Sequence, residues 1–284
     1  MKTMSELTHY NLHELVPQAF RKYIIVRGTG TSCVLNRMFS VIDVLVALRK
    51  WKGYNILVDW SDEKFSESGH NIFYKYFKLL NKEHYAFSVS DIPFSTVAGC
   101  RADPITRDML HEGCSSVDPD ITMVEYDAYF EHSFIADSPE HFSFLWNACS
   151  EKLAPRWAHN KSASGYYTDK LAKFNTVIGV DLDSLHDGFT DKAIDVINKL
   201  VCKHTDVRLF CSTIVDRNVD KLICAKFKEL YGSRVKFRSF RGNTSVDKIV
   251  HSLILSKCSY IVCRHPSLVA SYATFNGKAE LIEI

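Results

Sequence analysis

A chain of 284 residues, 46% hydrophobic and 24% charged, can bury a sizeable core in one or two domains and has the composition of a globular protein. A formal net charge of +2, with no dense Lys/Arg run, excludes a general nucleic-acid binder. Nine cysteines at scattered spacings, with no CxxC pair, exclude a disulfide framework and point to a reducing, cytoplasmic setting.

The first twenty residues, MKTMSELTHYNLHELVPQAF, carry no continuous apolar run and do not read as a signal peptide. No apolar run in the chain approaches the roughly 20 residues that span a bilayer. His9 and His13 have helical i,i+4 spacing but no third ligand nearby, so they read as surface residues rather than a metal site.

The first ordered pattern is Ile24-Ile25-Val26, a buried strand running into Gly28-Thr29-Gly30. An amphipathic helix follows, with Leu35, Met38, Phe39, Ile42, Leu45 and Val46 on one face and Gly53 as its stop. Ile56-Leu57-Val58 is a second strand, so this is a β–loop–α–β unit with parallel pairing. Residues 63–165 are rich in aromatics and His. FYKYFKLL reads as helix, EYDAYF is open, and HFSFLWNACSEKL reads as a helix stopped near Pro155. The polar, small-residue stretch HNKSASGYYTDK reads as the join between two domains, 1–165 and 166–284.

From Thr176 the pattern is regular. VIGV, VRLFC, VKF, SYIVC and ELIEI are strands, and helices lie between them near 190–203, 218–231 and 246–255 and after Ser267. The second of these should bury Val219, Leu222, Ile223, Phe227 and Leu230. Strand and helix alternating at this spacing mean a doubly wound parallel sheet, so the fold class is α/β with two Rossmann-like units. Ligands of such sheets bind outside the carboxyl ends of the strands.

After the first strand, the dinucleotide fingerprint would need a third glycine where Cys33 stands, and no Lys-Ser/Thr follows for a Walker loop. What remains is a glycine turn at Gly28 and Gly30 that directs backbone N–H groups and Asn36-Arg37 toward a ligand, or a turn that only lets strand and helix pack. After the second strand, Asp59 and Asp62 are placed as general bases, with Glu67 and His70 behind them. After VIGV come Asp181 and Asp183, which in an extended segment point the same way, as a divalent cation needs. Ser212 and Thr213 suit a ribose or base edge. Arg238 and Arg241 suit a pyrophosphate, since guanidinium forks match phosphate oxygens. Arg264, His265 and Ser267 sit where a helix N-terminus adds free N–H groups and a positive dipole end. Each residue alone is as well explained by capping or a surface ion pair. Their accumulation along one sheet edge points to a nucleotide diphosphate.

Taken together these segments resemble the fucosyltransferase-like branch of the GT-B glycosyltransferases, which includes the nodulation and α1,6-fucosyltransferases and the protein O-fucosyltransferases. The glycine loop followed by Asn36-Arg37-Met38-Phe39 resembles their first loop and helix, and VDWSD then NIFYKYF is similar to the second-strand region of some relatives. LSKCSYIVCRHPSLVASYAT resembles their closing strand and Ser-marked helix. The compact chain is also similar to glycosyltransferases of bacteria and large algal DNA viruses. One departure stands out. The family's donor-binding arginine follows the IGV strand, where this chain has Asp181, Asp183 and Ser184.

The resemblance implies a GT-B-like pair of domains facing a cleft and an inverting transfer from a nucleotide-sugar to a glycan hydroxyl, without a divalent metal. Arg238, Arg241 or Arg264 would then take the charge of the missing arginine, or the donor would be a UDP-sugar such as UDP-xylose rather than GDP-fucose. Trp60, Tyr74 and Trp157 would stack on acceptor sugars. Two other readings stay open: a transferase that uses Asp181 and Asp183 as a metal clamp, and a non-catalytic nucleotide- or carbohydrate-binding module.

Overall fold

The computed structural model describes residues 22–31, 33–60, 62, 71–79, 102–119, 123–127, 153–182, 190–213, 217–239, 244–264 and 267–284. Among these the chain forms two compact units that change over between Arg156 and Trp157.

In the first unit, Lys22–Val26 (β1) lies between Tyr54–Val58 (β2) and Met123–Tyr126 (β5), with Asp103–Pro104 (β4) outside β5, all parallel. The helix Val34–Ala47 (α1) connects β1 to β2. It buries not only Leu35, Met38, Phe39, Ile42 and Leu45 but also Asn36, Arg37, Ser40 and Asp43, so polar groups lie inside and need partners there. Arg107–Glu112 (α3) is capped by the Thr106 hydroxyl, which accepts from the Met109 N–H at 3.3 Å.

FYKYFKLL is not one helix. Phe73–Tyr76 (α2) makes a single turn and Phe77–Leu79 (β3) then pairs antiparallel with Leu153–Pro155 (β6). The cause is Trp60, whose buried ring meets Phe73 and Phe77 edge-on at 5.0 and 6.1 Å. Trp60 is therefore core, and the expectation that it stacks on sugar is corrected. Of the segment HFSFLWNACSEKL only Leu153 is described, and it is a strand residue.

In the second unit the sheet order is Glu280–Glu283 (β11), Tyr260–Cys263 (β10), Thr176–Asp181 (β7), Val207–Thr213 (β8), Val235–Ser239 (β9), all parallel. Val180, Leu209, Cys211, Phe237 and Val262 pack one face against Thr190–Lys203 (α5) and Arg217–Tyr231 (α6) through Ile194, Ile197, Ile223 and Phe227. Leu222 and Leu230 of α6 point to solvent instead of inward.

The other face carries Trp157–Lys170 (α4), Thr244–Leu255 (α7) and Leu268–Asn276 (α8). Gly179 admits α7 to the sheet, since a Cβ there would lie 2.5 Å from Leu255 Cδ2 and 3.2 Å from Cys258 Sγ. The stretch read as a polar join is thus a helix of the second unit. Its inward residues, His159, Ala163, Tyr166 and Tyr167, fall at i, i+4, i+7 and i+8, a helical face made of residues that do not look apolar.

Candidate functional site

The strand order of the second sheet reverses direction between β7 and β10, the topological switch point where open α/β sheets bind ligands. At the carboxyl edge beside it, Asp181, Ser212 and Arg238 stand in register on three adjacent strands. Residues in register on parallel strands share a face. Their neighbours Val180, Cys211 and Phe237 fill the α5/α6 core, so this polar row faces α4, α7 and α8.

Asp181 is buried and accepts the Ser267 hydroxyl across the switch point. Ser267 in turn caps α8, its oxygen accepting from the Ala270 N–H at 3.0 Å. A carboxylate near a helix N-terminus is favoured by the helix dipole. Asp181 is thereby tied to the start of α8. Asp183, Arg241 and His265 lie outside the described residues, as does the side chain of Thr213. Arg264, directly after β10, is half-buried at the same edge. Burial pushes the Cys263 thiol up, as do the nearby charges of Asp181 and Glu283.

Arg238 is half-buried with its guanidinium carbon 4.8 Å from the centre of the Tyr166 ring on α4. Burial lowers its pKa, while Tyr166 and Asp247 of α7 act to raise it. Asp247 is raised by burial, against the pull of Arg238. His251, one turn further along α7, is fully buried, and burial plus the charge of Arg238 hold it well below 6.5, so it is a neutral imidazole at neutral pH. Tyr166, Asp247 and His251 were not singled out from sequence; the signal available was the helical spacing of α4 and the polar positions Asp247 and His251, four apart on α7.

In the first unit the geometry of the glycine turn fits the second of its two readings, close packing of strand and helix. Gly28 has φ +135°, and a Cβ there would lie 2.9 Å from Arg37 Cγ. Arg37 is 0% exposed; it donates from Nε to the Thr31 carbonyl at 2.8 Å and from both terminal nitrogens to Asp62, one of these bonds being 3.0 Å. It therefore braces the turn to the chain beyond β2, and with Asn36, also buried, it is not held out toward a ligand. Gly30 is exposed at the tip of the turn. Thr29 donates to Asp127 from its N–H at 2.9 Å and from its hydroxyl. Asp59 is buried against Arg27 at 3.4 Å, and Arg27 also reaches Glu125 at 3.1 Å. Both sequence-selected bases thus hold an arginine.

Asp43 on α1 is a buried hub that sequence reading passed over. It accepts from the Tyr126 hydroxyl at 2.6 Å and from Arg107 Nε at 3.0 Å, and lies 2.7 Å from His111 Nε2. Burial disfavours its charge, but bonds from His111 and Tyr126 and the charges of Arg107 and His111 outweigh that, holding it below 3.8. The hub fastens α3 and β5 to α1. Among the described residues no three His, Cys, Asp or Glu side chains form a metal cluster, and no helix is long and apolar enough to cross a membrane.

No protein-family model and no curated protein sequence matches the chain. Solved structures do. The fucosyltransferase NodZ from Bradyrhizobium aligns at a TM-score of 0.63 and 14% identity, over 93% of this chain and 96% of that one. FUT1 of Arabidopsis thaliana aligns at 0.60 and 13%, over 94% of this chain and 72% of that one. POFUT1 aligns at 0.55 and 12%, over 93% and 99%. The fold is fucosyltransferase-like. The NodZ structures include one soaked with GDP-fucose and one co-crystallised with GDP, and those of FUT1 and POFUT1 are complexes with GDP. In this chain the sheet edge carrying Asp181, Ser212 and Arg238 belongs to the second unit.

Proposed function

We propose that the chain is an inverting glycosyltransferase that moves a sugar from a nucleotide-sugar to a hydroxyl of a glycan acceptor. The observation that carries this is the polar row Asp181–Ser212–Arg238 beside the switch point of a fucosyltransferase-like sheet. Arg238, with Arg264, holds the diphosphate and stabilises it as it leaves. Ser212 offers a hydroxyl to the nucleoside. The general base is a carboxylate. Since Asp59 and Asp62 already hold arginines, Asp127, exposed and oriented by Thr29, is the first to substitute. The reaction needs no divalent metal, so transfer should persist in excess chelator.

GDP-fucose is the first donor to test, because the fold neighbours were solved with GDP or GDP-fucose; UDP-xylose and other UDP-sugars come next. A thermal-shift screen of GDP-, UDP- and dTDP-sugars names the nucleotide, since a ligand stabilises the native state according to its affinity. If none of them shifts the unfolding of the full chain, the donor reading is wrong. The engagement of both Asp59 and Asp62 by arginines favours a second reading, a binding module without turnover. Binding without transfer or hydrolysis for any acceptor offered would select it.

A further inference from the structure

The arginine at the edge of the second sheet is set up by an aromatic residue on the helix that precedes it. Arg238 rests against the Tyr166 ring at 4.8 Å. That ring packs on Phe210 of β8 with centroids 5.7 Å apart at 61°, and Phe210 meets His251 at 6.0 Å and 86°. Phe210 is two residues before Ser212 and so lies on the same face of the sheet, directly beneath the polar row. Tyr166 is therefore wedged between a buried phenylalanine and the guanidinium.

A guanidinium donates its hydrogen bonds in its own plane, while a ring is attracted to its face. An aromatic partner fixes the orientation of an arginine without using any of its donors. Arg238 has such a ring against it in Tyr166, and the charge of Asp247 acts on it through space. An arginine held before the ligand arrives also loses less side-chain entropy on binding.

We infer that Tyr166 is the positioning residue for the donor diphosphate, holding Arg238 at the carboxyl edge of the second sheet. This rests on the glycosyltransferase reading above. Losing the ring weakens diphosphate binding.

The test is calorimetric titration of GDP and UDP into the full chain and its variants. For the nucleotide that binds, Tyr166→Leu should weaken affinity about tenfold, from the size of a half-buried cation–π contact. Tyr166→Phe keeps the ring and should stay within about twofold, a difference too small to count as a lost contact. In transfer assays Tyr166→Leu should raise the donor KM and also lower kcat, because the Arg238 it positions both binds the diphosphate and stabilises it as it leaves. Unchanged affinity in Tyr166→Leu, or equal loss in Tyr166→Phe, overturns the inference. Should Tyr166→Leu fail to fold, Tyr166→Met, which fills the space against Phe210 without a ring, takes its place in the titration with the same expected and overturning results. Wild-type protein that binds neither nucleotide overturns the diphosphate reading of the site as well, which separates that failure from failure of the Tyr166 role alone.

Discussion

Asp62→Asn distinguishes a structural acid from a catalytic one. Asp62 grips Arg37 with both oxygens, and Arg37 is 0% exposed against 20% for Asp62. Asparagine keeps the size and one carbonyl acceptor, but its amide nitrogen turns donors toward a guanidinium that has only donors of its own. Breaking a fully buried pair by removing one partner costs about 3–5 kcal/mol. Water reaching the partly exposed Asp62 position relieves some of this, so the expected loss is about 2–3 kcal/mol. At about 2–4 °C per kcal/mol for domains of about 150 residues or more, Tm should fall by roughly 4–12 °C, read by circular dichroism. The paired variant Arg37→Met/Asp62→Leu removes both charges and should recover most of the loss. If Asp62→Asn leaves Tm unchanged while abolishing transfer, the brace is wrong and Asp62 is the base that its position after β2 first indicated.

Other substitutions probe the packing that presents the site. Asp43→Asn should cost about 2–4 kcal/mol at pH 7 in urea unfolding. The folded carboxyl lies below 3.8, so its contribution is present above that pH and is lost as pH falls through the folded value. The variant should therefore show a shallower acid limb below pH 3.8 than wild type, and parallel limbs would remove the hub. Gly179→Ala places a methyl 2.5 Å from Leu255 Cδ2 and should destabilise by about 1–3 kcal/mol. An unchanged Tm would mean that α7 gives way freely. Gly28→Ala combines φ +135° with the contact to Arg37 and should lower Tm more than Gly30→Ala at the exposed tip; equal effects would assign the turn no packing role.

Much of the second unit was legible because its sheet faces and helices obey simple periods. The α5 helix spans Thr190–Lys203, where the apolar spacing of Ile194, Ile197 and Val201 placed it, and α7 buries Ile249, Val250, Leu253 and Ile254. The α4 helix was not legible, because its inward positions are His159, Ala163, Tyr166 and Tyr167 around Gly165. FYKYFKLL was misread because Phe73 and Phe77 satisfy a helical period, while the Trp60 ring that both pack against and the pairing with β6 decide the local structure.

Local sequence determined where strands end, and with that which polar residues reach the carboxyl edges: Asp59, Asp181, Ser212, Arg238 and Arg264 are all there. It could not say which of them are already occupied. Arg37 and Asp62 are 25 positions apart, Asp181 and Ser267 are 86 apart, and Asp43 and Tyr126 are 83 apart. Whether a charged group faces a ligand or another side chain depends on partners that only the folded chain brings within hydrogen-bond range. That is why the glycine turn became a brace around Arg37, while Arg238 on the polar row of the second sheet came to rest against the Tyr166 ring.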